Sequence, residues 1–391
     1  MAGPNLNISQ ISHHDLDGYG ACIVAGFFAD VGRIVHVPRY SDVGAVLDRE
    51  AERLARARDP ELLLITDLSL EGDAVRFIKG FAAANLKRPE ERRHRLVVLD
   101  HHVSSIENLK AQDLNPTPSE DGRTALFDLG DPGIHVGIDD GRCATRLAFE
   151  CRGLFSDREV PADLERHLRA LVDAVDAYDL WRKTDAAFRN GVILNETFWD
   201  SAVAYVPAGH PWHDRFIGNI LMAVAARLQA GVPPADIELI VPSLRKAVVD
   251  ELLRDEPGDD PALTVRARLS LALSRSTELF RKLPDGTMLS FGLDGGVFQA
   301  VSDHIMERGD AQRVVNAGRG GGMSFRSRNG TALEGARKFR GGGHADSAGG
   351  KLPNGSAFSM ADAVSQVEPI LCPPKPKESD SPFAALRTWK G

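Results

Sequence analysis

The sequence predicts a two-lobed α/β protein whose N-terminal lobe is built on a doubly wound parallel β-sheet. Two observations predict this fold class. From residue 6 to about 182, short apolar runs of the kind that form buried strands alternate with amphipathic stretches, which is the βαβ rhythm of a parallel sheet. A second, smaller α/β alternation begins near Gly286, after a mostly helical stretch over about 195–282.

The elements follow in order along the chain. In the first lobe we predict strands over 6–11, 34–38, 62–66, 96–99 and 125–129, and helices over 43–58, 72–84, 143–151 and 161–179. Leu/Ala/Arg-rich periodicity then predicts helices over 213–230 and 262–283. The second lobe has predicted strands over 287–293, 313–316 and 323–328, with helices over 297–308 and 332–339. We therefore expect domains at 1–185 and 285–372, a mainly helical connector at 186–284, and a flexible tail at 373–391.

Composition limits the class of protein. The chain is 43% hydrophobic and 26% charged, and no apolar run approaches the roughly 20 residues that span a bilayer. The N-terminus shows no secretory signal, and the four cysteines lack pair spacing, so we expect reduced thiols in a cytoplasmic protein without a membrane partner. A net charge of −8 argues against binding long DNA or RNA and favours a short anionic substrate.

Acidic and imidazole side chains follow three of the predicted strands. They stand in the segments Ser12–Gly18, Thr66–Ser69 and Asp100–His102. Because ligands bind beyond the carboxyl ends of strands in an open parallel sheet, we expect the three clusters to converge on one crevice. Carboxylates with imidazoles suit Mn²⁺, Fe²⁺, Zn²⁺ or Mg²⁺.

Each cluster also has a simpler interpretation. An extended chain would project His13, Asp15 and Asp17 on one side, but these acids would also cap a helix that begins near Tyr19. His14, beside His13, is a competing imidazole. Asp67 would either bridge two cations through its two oxygens or cap the following helix. Asp100-His101-His102 is costly after a buried strand unless it binds something.

Two later motifs complete the candidate set. Asp173, Asp176 and Asp179 share helix faces, and we favour Asp179 as a ligand, with Asp176 as the alternative. Near the end of the chain, Gly341-Gly342-Gly343-His344 would expose backbone N–H groups as an anion nest, to which Arg326 would add a charged donor. The alternative is a glycine-rich loop without a ligand.

Taken in order, these motifs resemble the DHH phosphoesterase superfamily, and the glycine cluster with Arg326 resembles its C-terminal DHHA1 domain. The closest similarity is to the oligoribonuclease (nanoRNase) and cyclic-nucleotide phosphodiesterase branch, which opens with S-H-x-D-L-D-G. The resemblance covers most of the chain except the connector and the tail. Many DHH phosphatases have H-x-x-x-D-x-D at the first motif, a longer spacing that leaves His13 or His14 open.

The resemblance implies two divalent cations, Mn²⁺ first, with Mg²⁺ or Co²⁺ as alternatives. One ion would be held by His13, Asp15 and Asp67, and the other by Asp17, Asp67, His101 and Asp179. His102 would contact the scissile phosphate, and Asp100 would orient the neighbouring imidazole. In the DHHA1 domain, the substrate's terminal nucleotide or phosphate would contact Arg326, His344 and the Gly341, Gly342 and Gly343 backbone.

The activity expected from this resemblance is hydrolysis of short oligoribonucleotides to mononucleotides by a metal-activated water. Alternatives within the same chemistry are a phosphodiesterase for cyclic mononucleotides or for dinucleotides, and a 3′-phosphoadenosine 5′-phosphate phosphatase. A non-catalytic nucleotide sensor is the alternative from another class. The sequence leaves substrate length, cleavage polarity and a homodimeric state open.

Overall fold

The computed structural model of the protein describes residues 6–374, and the contacts divide the chain into two units. The first comprises Met1–Ser201 and Asp214–Val248, and the second comprises Ala202–His213 and Val249–Gly391. Of the predicted tail 373–391, residues 375–391 lie outside the described range. The domain boundaries at 185 and 284 stay a prediction.

The first part of the chain alternates strands and helices. Its elements are β1 (Asn7–His13), α1 (Leu16–Phe28), β2 (Val31–Val37), α2 (Val43–Arg56), β3 (Glu61–Thr66), α3 (Gly72–Asn85), β4 (Arg95–Asp100), α4 (Val103–Lys110), β5 (Thr117–Pro118), β6 (Ala125–Phe127), β7 (Ile134–Ile138), α5 (Ala144–Glu150) and α6 (Ala162–Asp179). Three further helices follow, namely α7 (Phe188–Ala202), α8 (His213–Gln229) and α9 (Pro234–Leu253).

The strands of the first unit form one seven-stranded sheet in the order β2-β1-β3-β4-β7-β6-β5. The first five in this order are parallel, which confirms the predicted α/β class. The parallel pattern does not extend to the edge, because β6 and β5 run antiparallel. Strand β7 is not among the predicted strands. Its five residues lie between turn residues, and so short a run carries little periodicity.

The two central strands explain why polar side chains collect at one edge. All six residues of β3 are buried, and so are five of the six in β4. A strand buried on both faces is filled with Leu, Ile and Val, so the first position free for a functional group is the one where the strand ends. Asp67 follows β3 directly, and Asp100 is the last residue of β4.

The turn between β1 and α1 corrects one expectation. The chain is not extended through Asp17, because α1 begins at Leu16 with Asp15 as its N-cap and Asp17 in its first turn. The Asp15 carboxylate accepts a hydrogen bond from the Gly18 N–H at 2.9 Å. A Cβ at Gly18 would lie 2.1 Å from the His13 carbonyl oxygen, so only glycine lets the helix start this close to the strand.

The second unit has a smaller sheet of its own. Its elements are α10 (Val265–Arg275), β8 (Phe280–Lys282), β9 (Met288–Phe291), α11 (Gly295–Glu307), β10 (Arg313–Ala317), β11 (Gly322–Ser327), α12 (Ala332–Arg337), β12 (Gly342–Gly343), β13 (Ser347–Lys351) and α13 (Met360–Leu371). The six strands lie in the order β12-β13-β11-β10-β9-β8, and only β9 and β10 pair in parallel.

The predicted helix 262–283 is too long. Helix α10 ends at Arg275, and Phe280–Lys282 forms a strand that pairs antiparallel with β9. The alternating Leu and charged residues of this stretch fit a strand as well as a helix over so few positions. Within the described residues, no helix is both long and apolar enough to cross a membrane.

Candidate metal centre

Carboxylates and imidazoles from four elements of the first unit meet at the carboxyl edge of its sheet. Two triads have ligand atoms that all lie within 4.8 Å of one another, His13/Asp15/Asp67 and Asp17/His101/Asp179. A third such group joins Asp67 and His101 to His102. The convergence expected from three separate strand ends is therefore present in the fold.

Asp67 lies between the two triads. Its Oδ1 is 3.2 Å from His101 Nε2, and its Oδ2 is 3.9 Å from His13 Nδ1. Its backbone is left-handed at φ 54°, a region that few residues other than glycine adopt but that Asp and Asn tolerate best. Such strain collects at functional sites. Each oxygen of this carboxylate therefore faces a different triad, as a bridging ligand requires.

His13, and not His14, belongs to the cluster. The Nδ1 of His13 is 2.7 Å from Asp15 Oδ2. His14 is buried among aromatic rings, with Tyr19 and Phe198 edge-on and Trp199 stacked at 6.1 Å. The two adjacent histidines therefore have different surroundings, one polar and one aromatic.

The second triad is held partly by the backbone of α5. Both oxygens of buried Asp17 accept hydrogen bonds there, from the Ala144 N–H at 2.7 Å and the Thr145 N–H at 2.8 Å. The Nε2 of His101 lies 3.7 Å from Asp17 Oδ2 and 3.6 Å from Asp179 Oδ2. Because backbone donors anchor Asp17, its position does not depend on a bound cation.

Asp179 and Asp176 are separated by their partners. The Asp176 carboxylate accepts from the Cys143 N–H at 2.9 Å and pairs with Arg182 at 2.7 Å and Arg146 at 2.9 Å. Two guanidinium groups already neutralise it. Asp179 has its carboxylate in the second triad, so the geometry favours Asp179 over Asp176 as a ligand.

Asp100 and His102 form a pair beside the triads. Fully buried Asp100 accepts from His102 Nδ1 at 2.7 Å through one oxygen and from the Ser105 hydroxyl through the other. Burial lowers the pKa of His102, but the hydrogen bond and charge of Asp100 outweigh it and raise that pKa above its usual value. The imidazole oriented by Asp100 is thus His102, whose free atom is Nε2.

The electrostatics of the cluster show a surplus of negative charge. Burial, with Asp17 and Asp15 nearby, raises the pKa of Asp179 to about 8, and burial with the same two neighbours raises that of Asp67 well above its usual value. Burial also acts upward on Asp15, but the hydrogen bond and charge of His13 bring the pKa of Asp15 down to about 2. Neutralising such a cluster takes either protons or cations.

Two buried oxygens show where a cation would fit. Among the described residues, Asp67 Oδ2 and Asp179 Oδ2 have no hydrogen-bond partner, and Asp67 is only 2% exposed. An unsatisfied buried acceptor costs about 1–3 kcal/mol or more when charged. Hard carboxylate oxygens with borderline imidazole nitrogens suit Mn²⁺ or Mg²⁺. The donor set therefore fits the divalent metal centre that the sequence resemblance implies.

Sequence reasoning missed two residues at this site. Tyr40, in a short 3₁₀ turn after β2, stacks on His13 with ring centres 5.0 Å apart. His36 on β2 stacks on Tyr19 at 3.6 Å, and its Nε2 is 2.9 Å from Asp214 Oδ1. Both reach the site because β2 pairs beside β1, with His13 opposite Val37. That pairing leaves no local signal in the sequence.

The second unit contains the predicted phosphate-binding residues. On β11, half-buried Arg326 donates from Nε to Gln299 and from Nη1 to its neighbour's carbonyl, and its guanidinium lies 5.6 Å from the Phe298 ring centre. Arg326 pairs in register with Ser347, whose carbonyl accepts from the N–H of exposed His344 at 2.7 Å. These contacts fix Arg326 and His344 at neighbouring positions of one sheet.

The glycine cluster is required by backbone packing. A Cβ at Gly341 would lie 1.9 Å from the Gly349 carbonyl oxygen, and Gly343 has φ 141° with the Ala348 backbone 2.7 Å from an added Cβ. The Gly341 N–H donates to Ala336. The predicted nest is therefore narrower than the sequence suggests, because the Gly341 and His344 amides already have partners within the protein.

Comparison with known proteins supports the fold. No protein-family model and no curated protein matches the chain. The structure is similar to that of an uncharacterized protein from Helicobacter pylori G27, with a TM-score of 0.68 and 19% identity over 93% of this chain and 98% of that one. At that identity the likeness shows a shared fold and no more.

Two further structures resemble the chain more loosely. One is a DHH domain described as a member of the s1p family of ribosomal proteins, with a TM-score of 0.36 and 16% identity over 89% of this chain and 83% of that one. The other is RecJ in complex with Mn²⁺ from Thermus thermophilus, at 0.26 and 17% over 93% and 52%. The DHH name agrees with the motifs, but such low TM-scores add no argument, so the family assignment depends on the motifs and the site.

Proposed function

We propose that this chain is a metal-dependent phosphodiesterase of the DHH type that hydrolyses short oligoribonucleotides to mononucleotides. One observation carries the proposal. Asp67 directs one carboxylate oxygen toward His13 and the other toward His101, and each of these histidines belongs to a separate triad of ligand atoms. Two cation sites that share a carboxylate are the arrangement used for in-line displacement at phosphorus.

The residues of the first unit divide the work of such a reaction. Two divalent cations, with Mn²⁺ as the first choice, would supply a water of lowered pKa and neutralise charge on the phosphate. His13, Asp15 and Asp67 would hold one of them, and the other would be held by Asp17, Asp67, His101 and Asp179. No covalent enzyme intermediate is required.

His102 is the residue that we assign to the scissile phosphate. Its Nδ1 faces Asp100, so Nε2 is the atom that it offers to a substrate. The raised pKa of His102 favours the imidazolium, which donates a charge-assisted hydrogen bond to a phosphate oxygen. Asp100 fixes the ring so that this donor keeps one direction.

We assign the end of the substrate to Arg326 and His344 of the second unit. A preoriented guanidinium recognises a phosphate through two parallel hydrogen bonds, and the contacts to Gln299 and Phe298 hold Arg326 in place. A protein with net charge −8 has little electrostatic attraction for long nucleic acid. A short RNA anchored at one end is the substrate that suits both facts.

A substrate panel in Mn²⁺ tests the proposal. It contains 5′-labelled RNA of two to five nucleotides, a longer RNA, a cyclic mononucleotide, a linear and a cyclic dinucleotide, and 3′-phosphoadenosine 5′-phosphate. We expect the short RNA to be degraded to mononucleotides fastest. Preference for one of the other compounds would keep the metal chemistry and replace the substrate, and nucleotide binding without turnover would support a sensor.

Two variants test the division of labour between the units. Arg326→Ala should raise KM without lowering the Mn²⁺ content, whereas Arg328→Ala is the matched control, because exposed Arg328 pairs with Glu307 at 3.2 Å. Loss of bound Mn²⁺ from Arg326→Ala, or equal effects of the two variants on KM, would contradict the role given to Arg326.

A further inference from the structure

Tyr40 is an aromatic residue at the edge of the metal centre that no motif explains. It stands at the start of the 3₁₀ turn Tyr40–Asp42 and is 38% exposed. The turn is fixed by Arg39, which makes two hydrogen bonds to the Asp42 carboxylate at 2.8 and 3.0 Å. The side chain is therefore held in a defined place while part of it stays open to solvent.

The contacts of Tyr40 join the two histidines with different roles. Its ring is stacked on His13 at 5.0 Å and 27°, and meets the His102 ring edge-on at 6.2 Å and 84°. Its hydroxyl oxygen is 3.4 Å from His102 Nε2, which is longer than a good hydrogen bond. The hydroxyl thus lies beside the atom that His102 presents to a substrate without being tightly bound to it.

The spacing of these two polar atoms suits a phosphate oxygen. Donors 3.4 Å apart can both reach one oxygen at roughly 2.8 Å, the ordinary hydrogen-bond length. Two fixed donors that converge on a single oxygen make an oxyanion site, which stabilises the charge that develops during displacement. No such site forms from His102 alone, because its other nitrogen is used by Asp100.

We propose that Tyr40 is a catalytic residue whose hydroxyl donates a hydrogen bond, together with His102 Nε2, to one non-bridging oxygen of the scissile phosphate. This inference rests on the proposed function and adds a substrate contact to it. The ring has a separate role, since its stacking on His13 holds that imidazole against Asp15 and Asp67.

The hydroxyl and the ring can be tested separately. Tyr40→Phe keeps the ring on His13 and removes only the hydroxyl. With the Mn²⁺-loaded protein and its best substrate from the panel, we expect kcat/KM to fall by about 10- to 100-fold, mostly through kcat, as for the loss of one oxyanion donor. The affinity for Mn²⁺, measured by titration calorimetry, should not change. Tyr40→Leu should lower both kcat and Mn²⁺ affinity.

Tyr178→Phe is the matched control, because it deletes the same atom from a ring that packs against Trp181 and Phe188. It should behave as the wild type. A Tyr40→Phe protein with wild-type kcat/KM would overturn the assignment, and so would a Tyr40→Phe protein that loses Mn²⁺, since the hydroxyl would then support the metal ligands.

A binding measurement separates this inference from the proposed function. If the Mn²⁺-loaded wild type hydrolyses no compound of the panel, the proposed function fails, and AMP and inorganic phosphate become the probes. Weaker binding of both to Tyr40→Phe than to wild type would still support the phosphate contact. Equal binding, or no binding to the wild type, would overturn it.

Discussion

Replacing Asp67 by Asn should change the stability of the protein in opposite directions with and without metal. The substitution keeps the size of the side chain, and Asn tolerates the left-handed backbone at φ 54° as well as Asp does. It removes the charge from a carboxyl that is 2% exposed and has one oxygen without a described hydrogen-bond partner. Backbone strain and cavity formation are therefore excluded as causes of any effect.

The two signs follow from different energies. In EDTA, removal of the buried unsatisfied charge should leave the free energy of unfolding unchanged or raise it by about 1–2 kcal/mol. With free Mn²⁺ at about 100 times its dissociation constant, the wild type should gain about 2.7 kcal/mol from binding. Asp67→Asn should lose most of that gain, because this carboxylate belongs to the His13 triad and also faces His101 of the other.

Urea unfolding in EDTA and in MnCl₂ measures both quantities. Asp48→Asn on the exposed side of α2 is the matched control and should respond to Mn²⁺ like the wild type. The reasoning is refuted if Asp67→Asn is less stable than wild type in EDTA by about 2 kcal/mol or more and yet keeps the full Mn²⁺ gain. Asp67 would then be a structural carboxylate and not a bridging ligand.

Three further predictions concern the same site. Asp100→Asn should lower the pKa of His102, which Asp100 raises against the effect of burial, so the basic limb of the pH–rate profile should move to lower pH; an unmoved limb would contradict the pairing. Gly18→Ala should cost about 3 kcal/mol or more in urea unfolding, because its Cβ would lie 2.1 Å from the His13 carbonyl, whereas at Gly26, on the same helix, no described atom lies within 4 Å of an added Cβ, so Gly26→Ala should be tolerated. Mn²⁺ binding at pH 7 should release protons, since the pKa of Asp179 is raised to about 8; calorimetry in buffers of different ionisation enthalpy measures the release, which should be smaller at pH 9.

The same pKa shift sets the pH dependence of stability without metal. Asp179 ionises near its model value of 3.8 in the unfolded chain and at about 8 in the folded one. Between these values the folded state binds the extra proton, so the free energy of unfolding falls as pH rises through this window, by at most about 1.4 kcal/mol per unit for one group. Bound Mn²⁺ should flatten this dependence because it replaces the proton.

The sequence predicts the ligands well where a buried strand ends. Strand β3 is apolar throughout most of its length and ends one residue before Asp67, and β4 ends on Asp100. In a parallel sheet the pattern of one strand is enough to place the residue after it. The first motif was predicted for a partly wrong reason, since Asp17 reaches the site from the first turn of α1 and not from an extended chain.

Choices between neighbouring residues could not be made from the sequence. Asp176 and Asp179 are one helical turn apart, and only the guanidinium groups of Arg146 and Arg182 show that Asp176 is already neutralised. Tyr40 is likewise invisible as a motif, because its place depends on the pairing of β2 with β1 and on the Arg39–Asp42 contact. Partners that are distant along the chain decide such cases.

The distribution of hydrogen-bond donors distinguishes a metal centre from an ordinary acidic cluster. Asp17 receives two backbone N–H groups, Asp100 receives an imidazole and a hydroxyl, and Asp176 receives a backbone N–H and two guanidinium groups. Within the described residues, Asp67 and Asp179 each keep a buried oxygen without a donor. If the acids served only to cap helices, the protein's own donors would be expected at these oxygens too. Since Asp67 belongs to the His13 triad and Asp179 to the His101 triad, each triad retains one oxygen for which a cation is the fitting partner.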